Sequence, residues 1–123
     1  MNYKDITIGI VTYKSENVLF KCLKSIKKIN KIIIYDNSND IIVKNKVKSK
    51  YPKIKYILST KNLGYGNANN EIIKECKTKY LLILNPDTIL NKSCESELLN
   101  SINKKNLDFS IIAPSSQDKN FGF

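Results

Sequence analysis

The sequence contains no histidine and no arginine, and these two absences remove several classes of function at once. Without histidine, a Ser/His/Asp triad, a Cys/His dyad and a histidine-ligated metal centre are excluded. Without arginine, the chain lacks the side chain best suited to bidentate recognition of the phosphates of nucleic acids. We therefore expect no nucleic-acid partner, even though the formal net charge is +10.

Cysteine is scarce as well, and Cys22, Cys76 and Cys94 are odd in number and far apart. No CxxC pair is present, so neither a disulfide framework nor a zinc site is indicated. Because Cys22 and Cys76 continue apolar helical stripes, both are interpreted as small buried hydrophobic residues in a reducing compartment. No apolar run reaches the ~18 residues of a membrane span, and no signal-like segment opens the chain. The sequence thus predicts a cytoplasmic location.

All of the positive charge comes from lysine, with 21 basic residues against 11 acidic ones. Such an excess favours polyanions or an anionic membrane leaflet through long-range electrostatics. Lysine, asparagine and isoleucine are abundant throughout, which is typical of a biased coding background, so individual lysines carry little weight. Peripheral association with the inner face of a membrane is kept as an expectation.

Apolar and amphipathic segments alternate along the chain. Strands are predicted at 6–13, 31–36, 54–58, 80–85 and 109–113, and helices at 16–29, 41–50, 67–77 and 93–104. Ser15 is the predicted N-cap of the first helix. Strict alternation predicts an α/β fold, with an open, mainly parallel, Rossmann-like sheet flanked by helices. One domain covers residues 1–123, of which 114–123 form an irregular tail.

Polar clusters follow four of the predicted strands. They are Thr12 with Tyr13, Asp36 with Asn37, the segment 62–66, and Asn85 with Asp87. Each cluster alone is explained by the turn that must end a strand. The carboxyl ends of parallel strands share one edge of a sheet, however, and ligands bind there in open α/β folds. Their convergence therefore predicts a binding site.

Two common phosphate-binding patterns are missing. The turn after the first strand reads TYKSE, without the glycines of a dinucleotide-binding GxGxxG motif, and no GxxxxGK[ST] motif is present. This turn does not cradle a pyrophosphate in the usual way. It offers Tyr13, whose ring can stack on a base.

Two of the clusters have a ligand-binding and a plain structural interpretation. Asp36 can accept hydrogen bonds from a pyrimidine N3 or from ribose hydroxyls, or it can form an Asx turn with Asn37 and Ser38. The segment 62–66 can bring open backbone and a helix N-terminus towards phosphate or sugar, or it can be an ordinary loop. The sequence leaves both alternatives open.

The sharpest motif is LNPDT at 84–88. Asn85 and Asp87 follow a buried strand at i and i+2, with Pro86 stiffening the turn between them. Two neighbouring oxygen ligands suit a hard cation such as Mg²⁺ or Mn²⁺, whose other positions diphosphate oxygens and water can fill. Such a cation offsets the charge that builds on a departing nucleoside diphosphate.

Four segments together resemble the N-terminal half of family 2 glycosyltransferases, particularly the rhamnosyltransferase-like members. They are VTYKSENVLFKCLKSI, IIIYDNSND, NLGYGNANN and YLLILNPDT, in this order and spacing. The resemblance implies the GT-A fold of nucleotide-diphospho-sugar transferases and a role in polysaccharide biosynthesis. The residues it implies for the nucleoside are Thr12, Tyr13, Glu16, Asp36 and Asn37, and those for the diphosphate-sugar path are Asn62, Gly64 and Asn70. Asn85 and Asp87 correspond to the metal-binding DxD position.

The chain departs from this pattern twice. Asn85 is neutral where the DxD motif has its first carboxylate, so we expect modest metal affinity. The family's catalytic base and acceptor-binding segment lie well beyond this motif, and nothing after Ala113 corresponds to them; the lone carboxylate there, Asp118, lies in a polar stretch. No catalytic residue is therefore identified, and the chain is interpreted as truncated.

The resemblance implies transfer of a sugar from a dTDP- or UDP-sugar to a hydroxyl of a glycan or lipid-linked acceptor, with inversion. We expect the isolated chain to transfer no sugar. The alternative is a noncatalytic nucleotide-binding fragment, or a half that needs a separate partner chain. A third hypothesis is a basic membrane-surface or nucleic-acid-binding module.

Overall fold

The computed structural model describes residues 2–104, 108 and 111–113, and it confirms the α/β alternation. The strands are β1 (Ile6–Thr12), β2 (Lys31–Asp36), β3 (Lys55–Leu58) and β4 (Tyr80–Ile83). The helices are α1 (Glu16–Ser25), α2 (Ile41–Lys50), α3 (Tyr65–Glu75) and α4 (Cys94–Asn103), and a short 3-10 turn (Tyr3–Asp5) precedes β1. No helix in the described ranges is long and apolar enough to cross a membrane.

The described sheet has four parallel strands in the order β3-β2-β1-β4. Its central strand, β1, is buried at all seven positions, as its unbroken apolar run predicts. The chain adds β2 and β3 on one side of β1 and then crosses to add β4 on the other. In open sheets of this kind, ligands bind beyond the carboxyl ends of the strands, commonly near the point where the strand order reverses, which here lies between β1 and β4.

Side chains of the strands alternate between two cores. Ile8, Ile10 and Ile34 belong to the larger core, beneath α1 and α2. The smaller core lies beneath α3 and contains Val11 and Ile72. At Gly9 an added Cβ would lie 2.7 Å from Cγ2 of Ile72, so the close seating of α3 on β1 requires glycine at this position.

The first helix is shorter than predicted, ending at Ser25 rather than 29. The amides of Lys27, Lys28 and Ile29 donate to the buried carboxylate of Glu95, at 3.0, 2.9 and 2.8 Å, instead of to helix carbonyls. Glu95 therefore ends α1 and fastens α4 to the segment that leads into β2. A glutamate in the first turn of a helix is favourable in itself, but its distant partners are not evident from the sequence.

Other boundaries differ for local reasons. The third helix begins at Tyr65, two residues early, because Gly64 at φ +76° acts as its N-cap. Ser15 does not cap α1 with its side chain; its hydroxyl donates to the carbonyl of Tyr13 at 2.8 Å. The predicted strand at 109–113 lies partly outside the described residues, and its described part, 111–113, is not in the sheet. The tail at 114–123, with Asp118, lies wholly outside them.

Candidate functional site

The ends of β1, β2 and β3 are joined by backbone hydrogen bonds. Thr12 pairs with Asp36 in the sheet register, and the amide of Asn37 donates to the carbonyl of Thr12 at 2.9 Å. The amide of Ser59 donates to the carbonyl of Asp36 at 3.0 Å. The predicted clusters after these strands therefore do converge on one edge.

Asp36 lies at the centre of this edge and is only 1% exposed. One carboxylate oxygen accepts the amide (2.8 Å) and the hydroxyl of Ser38, and the other accepts the Tyr56 hydroxyl (2.7 Å) and the Asp40 amide (3.2 Å). The Asx turn is therefore formed. Burial, and after it the hydrogen bond to Asp36, raise the pKa of Tyr56 far above its usual range, so that its hydroxyl remains a donor.

A cleft of about 410 Å³ opens beside Asp36, between the turn after β1 and the start of α2. Thr12, Glu16 and Asp36 all line it. Its volume lies within the ~300–1,000 Å³ range of small-molecule sites. The Glu16 carboxylate is bound by the ammonium of Lys46, 2.6 Å away, which joins the start of α1 to α2.

Tyr13 does not line this cleft. Its side chain is half exposed just after β1, with the ammonium of Lys14 5.2 Å from the ring centroid. Lys14 itself has φ +50°, a left-handed conformation that turns the chain sharply between strand and helix. About half of the side chain is exposed, which leaves ring surface accessible for stacking on a planar group.

Asn37 connects the β2 end to the glycine-containing loop. Its side-chain amide donates to the carbonyl of Gly64 at 3.2 Å, and its oxygen accepts the amide of Leu63 at 3.1 Å. Both ends of this buried side chain are thus used to hold the loop. Direct contact of Asn37 with a nucleoside stays a prediction.

The loop presents the amino-terminal end of α3 at the same edge. The oxygen of Asn62 accepts the Gly64 amide at 2.9 Å, which fixes the turn into the helix. Asn62 and Gly64 are exposed in the loop, whereas Asn70 is exposed in the middle of α3. The first amides of any helix lack internal acceptors and favour an anion, so this end is suited to a phosphate.

Asn69, the neighbour of Asn70, was not identified from the sequence. Asn69 is buried, its amide group donates to the carbonyl of Tyr65 at 3.1 Å, and its Oδ1 has no hydrogen-bond partner within the described residues. The burial of Asn69 follows from its place on the inner face of α3, beside Ala68 and Ile72. An exact helix register would have been needed to distinguish Asn69 from Asn70.

Asn85 and Asp87 are both exposed in the turn after β4. The hydroxyl of Tyr65 donates to Oδ1 of Asn85 at 2.9 Å, so the first residue of α3 contacts the LNPDT turn directly. The turn is closed by the amide of Thr88, which donates to the carbonyl of Asn85 at 3.1 Å. The Asp87 carboxylate has no hydrogen-bond partner in the part of the chain that the structure describes.

Beneath this turn lies Cys22, whose thiol is 3.8 Å from the carbonyl of Asn85. Burial, and to a lesser degree the negative charge of Asp87, raise the pKa of Cys22 to about 11. A thiol with such a pKa is inert at neutral pH, in agreement with a structural role.

Asn85 and Asp87 supply an incomplete set of metal ligands. Among the described residues, no group of three or more acidic, cysteine or histidine side chains could hold a metal ion. Mg²⁺ commonly uses one or two protein carboxylates and takes its remaining ligands from phosphates and water. The open carboxylate of Asp87 fits a cation that arrives with a diphosphate.

A second cleft, of about 430 Å³, lies at the opposite edge, where the strands begin. Its basic residues are Lys31, Lys53, Lys55 and Lys77. The two volumes are nearly equal, so volume does not distinguish them. Position does, because ligands of open α/β sheets bind at the carboxyl ends of the strands.

Comparison with known proteins agrees with this geometry. The model of the family described as "Glycosyl transferase family 2" matches residues 7–122. The chain is 32% identical over 114 residues to the low-salt glycan biosynthesis hexosyltransferase Agl10 of Haloferax volcanii, covering 89% of this chain and 36% of Agl10.

Solved structures match the fold. The S. aureus TarS 1-349 structure superposes with a TM-score of 0.68 at 19% identity, covering 85% of this chain and 33% of that one. A second TarS structure gives a TM-score of 0.66, also at 19% identity, covering 85% of this chain and 20% of that one. The chain thus spans about a third of the length of Agl10 and of the shorter TarS structure. The fold, the convergent strand ends and the family match over 7–122 together show that the chain belongs to glycosyl transferase family 2.

Proposed function

We propose that this chain is the donor-binding half of a glycosyltransferase domain and binds a dTDP- or UDP-sugar. The observation that carries the proposal is one hydrogen-bonded path along the sheet edge: Thr12 to Asn37, Asn37 to Gly64, and then from the next residue, Tyr65, to Asn85. The path joins a cleft, a helix N-terminus and an open carboxylate. These three features suit a nucleoside, a diphosphate and a cation, in that order.

The nucleoside is proposed to occupy the 410 Å³ cleft. Tyr13 stacks on the base from the rim, while Thr12 and Glu16 line the wall. Four donors of the chain already occupy the Asp36 carboxylate, so its main effect is to fix Ser38 and Asp40, which also line the cleft. Asn37 acts through the loop that it holds.

The diphosphate is proposed to lie at the N-terminus of α3, near Asn62, Gly64 and Asn70. From there its oxygens reach towards Asp87, which with Asn85 would hold Mg²⁺ or Mn²⁺. Such a cation would supply charge neutralisation on the departing nucleoside diphosphate. The carboxylate attracts the cation, whereas the amide of Asn85 only coordinates it, so Asp87 carries more of the affinity.

The acceptor is proposed to be a hydroxyl of a glycan or of a lipid-linked glycan, at a cytoplasmic membrane face. The name of Agl10 refers to glycan biosynthesis and to hexosyl transfer, which supports this class of acceptor. The rhamnosyltransferase-like resemblance of NLGYGNANN and YLLILNPDT supports a polysaccharide product. The free cysteines of the described residues support a reducing compartment.

A second candidate is a noncatalytic nucleotide-binding fragment, or a half that works with a separate partner chain. In-line positioning of an acceptor hydroxyl contributes much of the rate of such a transfer, and no residue of this chain is identified for it. We expect the 123-residue chain to transfer no sugar.

Two assays test the proposal. Calorimetry with UDP and dTDP is expected to show binding, and the absence of heat with both at millimolar protein would refute it. A radiolabelled donor panel with lipid-linked acceptors then separates the two candidates. Turnover by the 123-residue chain would exclude the noncatalytic reading, whereas turnover only by a longer chain carrying this domain would support the donor-half assignment.

A further inference from the structure

The lysines are distributed unevenly over the helices. The second helix has four lysines and no acidic residue. The first helix and the loop that follows it add four more, against Glu16 alone. In contrast, α3 with the loop that follows it has three lysines and two glutamates, and α4 has two glutamates and no lysine. A biased coding background would enrich lysine in all helices alike. The uneven distribution over the helices therefore indicates a function for the lysines of α1 and α2.

The two lysine-rich helices lie side by side on one face of the sheet. Leu19 of α1 and Val43 and Val47 of α2 enter the same core, and the Lys46–Glu16 ion pair bridges the helices. Their outer surface, which we call the basic face, consists of α1, the loop 26–30 and α2. Its exposed lysines are Lys21, Lys24, Lys27, Lys28, Lys46 and Lys50.

Isoleucine side chains stand out at one end of the basic face. Ile41 and Ile42, in the first turn of α2, are 53% and 64% exposed. They are not needed for packing, because Val43 and Val47 already provide the contacts of α2 with the core. Val18 in the first turn of α1 is exposed too and lines the cleft described above.

Exposed isoleucines surrounded by lysines favour one kind of partner. A basic surface with protruding aliphatic side chains suits the headgroup boundary of an anionic bilayer, where charge attracts and the apolar groups insert. Nucleic acid would use the lysines but gain nothing from Ile41 and Ile42. The absence of arginine points the same way.

We propose that the basic face docks on an anionic lipid surface, with Ile41 and Ile42 inserted at the headgroup boundary. The cleft beside Asp36 then opens next to the bilayer, since Val18, Asp40 and Val43 line it. Docking would hold a soluble donor close to a lipid-linked acceptor. The surface is defined without reference to the nucleotide, so the two proposals fail independently.

Vesicle flotation of the full chain tests this, using phosphatidylcholine vesicles with and without phosphatidylglycerol. Binding is expected only with the anionic lipid and is expected to weaken with salt. The combined change Lys21→Gln, Lys24→Gln and Lys27→Gln should weaken partitioning more than tenfold, because each lysine near an anionic surface contributes roughly fivefold. The matched control, Lys61→Gln, Lys77→Gln and Lys79→Gln, removes the same charge elsewhere and should have a much smaller effect.

A second pair of variants tests the apolar insertion. The double change Ile41→Ser and Ile42→Ser should weaken vesicle binding several-fold, whereas Ile73→Ser, at a 52% exposed isoleucine on α3, should leave it unchanged. Equal losses of vesicle binding in a variant and its control would overturn the proposal, since net charge or non-specific hydrophobic adsorption would then explain the binding. Tighter binding to duplex DNA than to anionic vesicles, with no effect of the isoleucine changes, would overturn it in favour of nucleic acid. Calorimetry with UDP on each variant reports separately on the proposed function.

Discussion

The ends of β2 and β4 lie on the same edge of the sheet but are built in opposite ways. At the β2 end, Asp36 is buried and accepts four hydrogen bonds from its own chain. At the β4 end, Asp87 is exposed and has no hydrogen-bond partner among the described residues. The first end is therefore complete before any ligand arrives, whereas the second has a free carboxylate. One aspartate preserves the shape of the site, and the other is available for a charge that comes with the ligand.

The largest difference between the two ends is expected in stability, when each carboxylate is removed in turn. Asp36→Ala leaves the buried Tyr56 hydroxyl and two partly buried amides without their acceptor and should lower the free energy of unfolding by about 3 kcal/mol. Asp87→Ala should change it by less than about 0.5 kcal/mol, as an exposed site would. Urea denaturation of both variants checks this, and equal midpoints for the two would contradict the account.

High pH should destabilise the interior of the fold, including the support of the β4 end. The pKa of Cys22 is raised from 9.0 to about 11, so the buried neutral thiol contributes stability below pH 9 that is lost as the pH rises towards 11. The raised pKa of Tyr56 acts in the same direction above its ordinary value of about 10.

The expected loss from Cys22 alone is about 2 kcal/mol between pH 9 and 11. Cys22→Ala removes the titrating group and should make the fall in unfolding free energy shallower, although the variant starts lower because of the cavity. Denaturation curves at several pH values check the slope. Parallel slopes for the parent and Cys22→Ala would count against the assigned burial.

The dependence of UDP affinity on a divalent metal should be determined by residues of the β4 end alone. Mn²⁺ or Mg²⁺ is expected to tighten UDP binding about five- to tenfold, and Asp87→Ala should abolish this gain while Asn85→Ala only reduces it. The asymmetry follows because a carboxylate attracts the cation and an amide does not. Calorimetry with and without metal measures it, and equal losses in the two variants would exclude the proposed roles.

The smallest effect on stability and affinity is expected at the hydrogen bond between Tyr65 and Asn85, which links the start of α3 to the β4 end. Tyr65→Phe removes the 2.9 Å hydrogen bond to Asn85 and should cost about 0.5 kcal/mol of stability, because this contact is exposed. UDP affinity with Mn²⁺ should fall by no more than about twofold. A loss as large as that of Asp87→Ala would mean that Tyr65 contacts the ligand itself.

Much of the fold could be predicted because its signals are local. The apolar run of β1 and the β/α alternation predict a parallel sheet, and parallel strands bring their ends together whatever the side-chain details. The details that the sequence did not reveal depend on distant partners. Tyr56 reaches Asp36 from 20 residues away, and Glu95 ends α1 from more than 60 residues away.

The candidate site likewise contains residues that the sequence predicted and residues that it did not. Thr12 and Asp36 were expected together because they end neighbouring strands, and Glu16 was expected from the family resemblance. The structure brings all three to one cleft. The roles of Asn37 and Asn69 were hidden, because each depends on contacts or on a helix register that no spacing reveals. Tyr65 carried one weak signal, an aromatic residue between two glycines, in a loop otherwise interpreted as open backbone.

The most direct test of the central claim is the position of a bound nucleoside diphosphate. A UDP titration of the isotopically labelled chain, followed by amide chemical shifts, should perturb residues 12–16, 36–40 and 62–67. The amides around Lys31, Lys53 and Lys77, at the similarly sized cleft on the opposite edge, should not move. Saturable shifts at the carboxyl edge alone would support the donor-site assignment. Shifts confined to the lysine-lined cleft would contradict it, because the ligand would then bind where the strands begin.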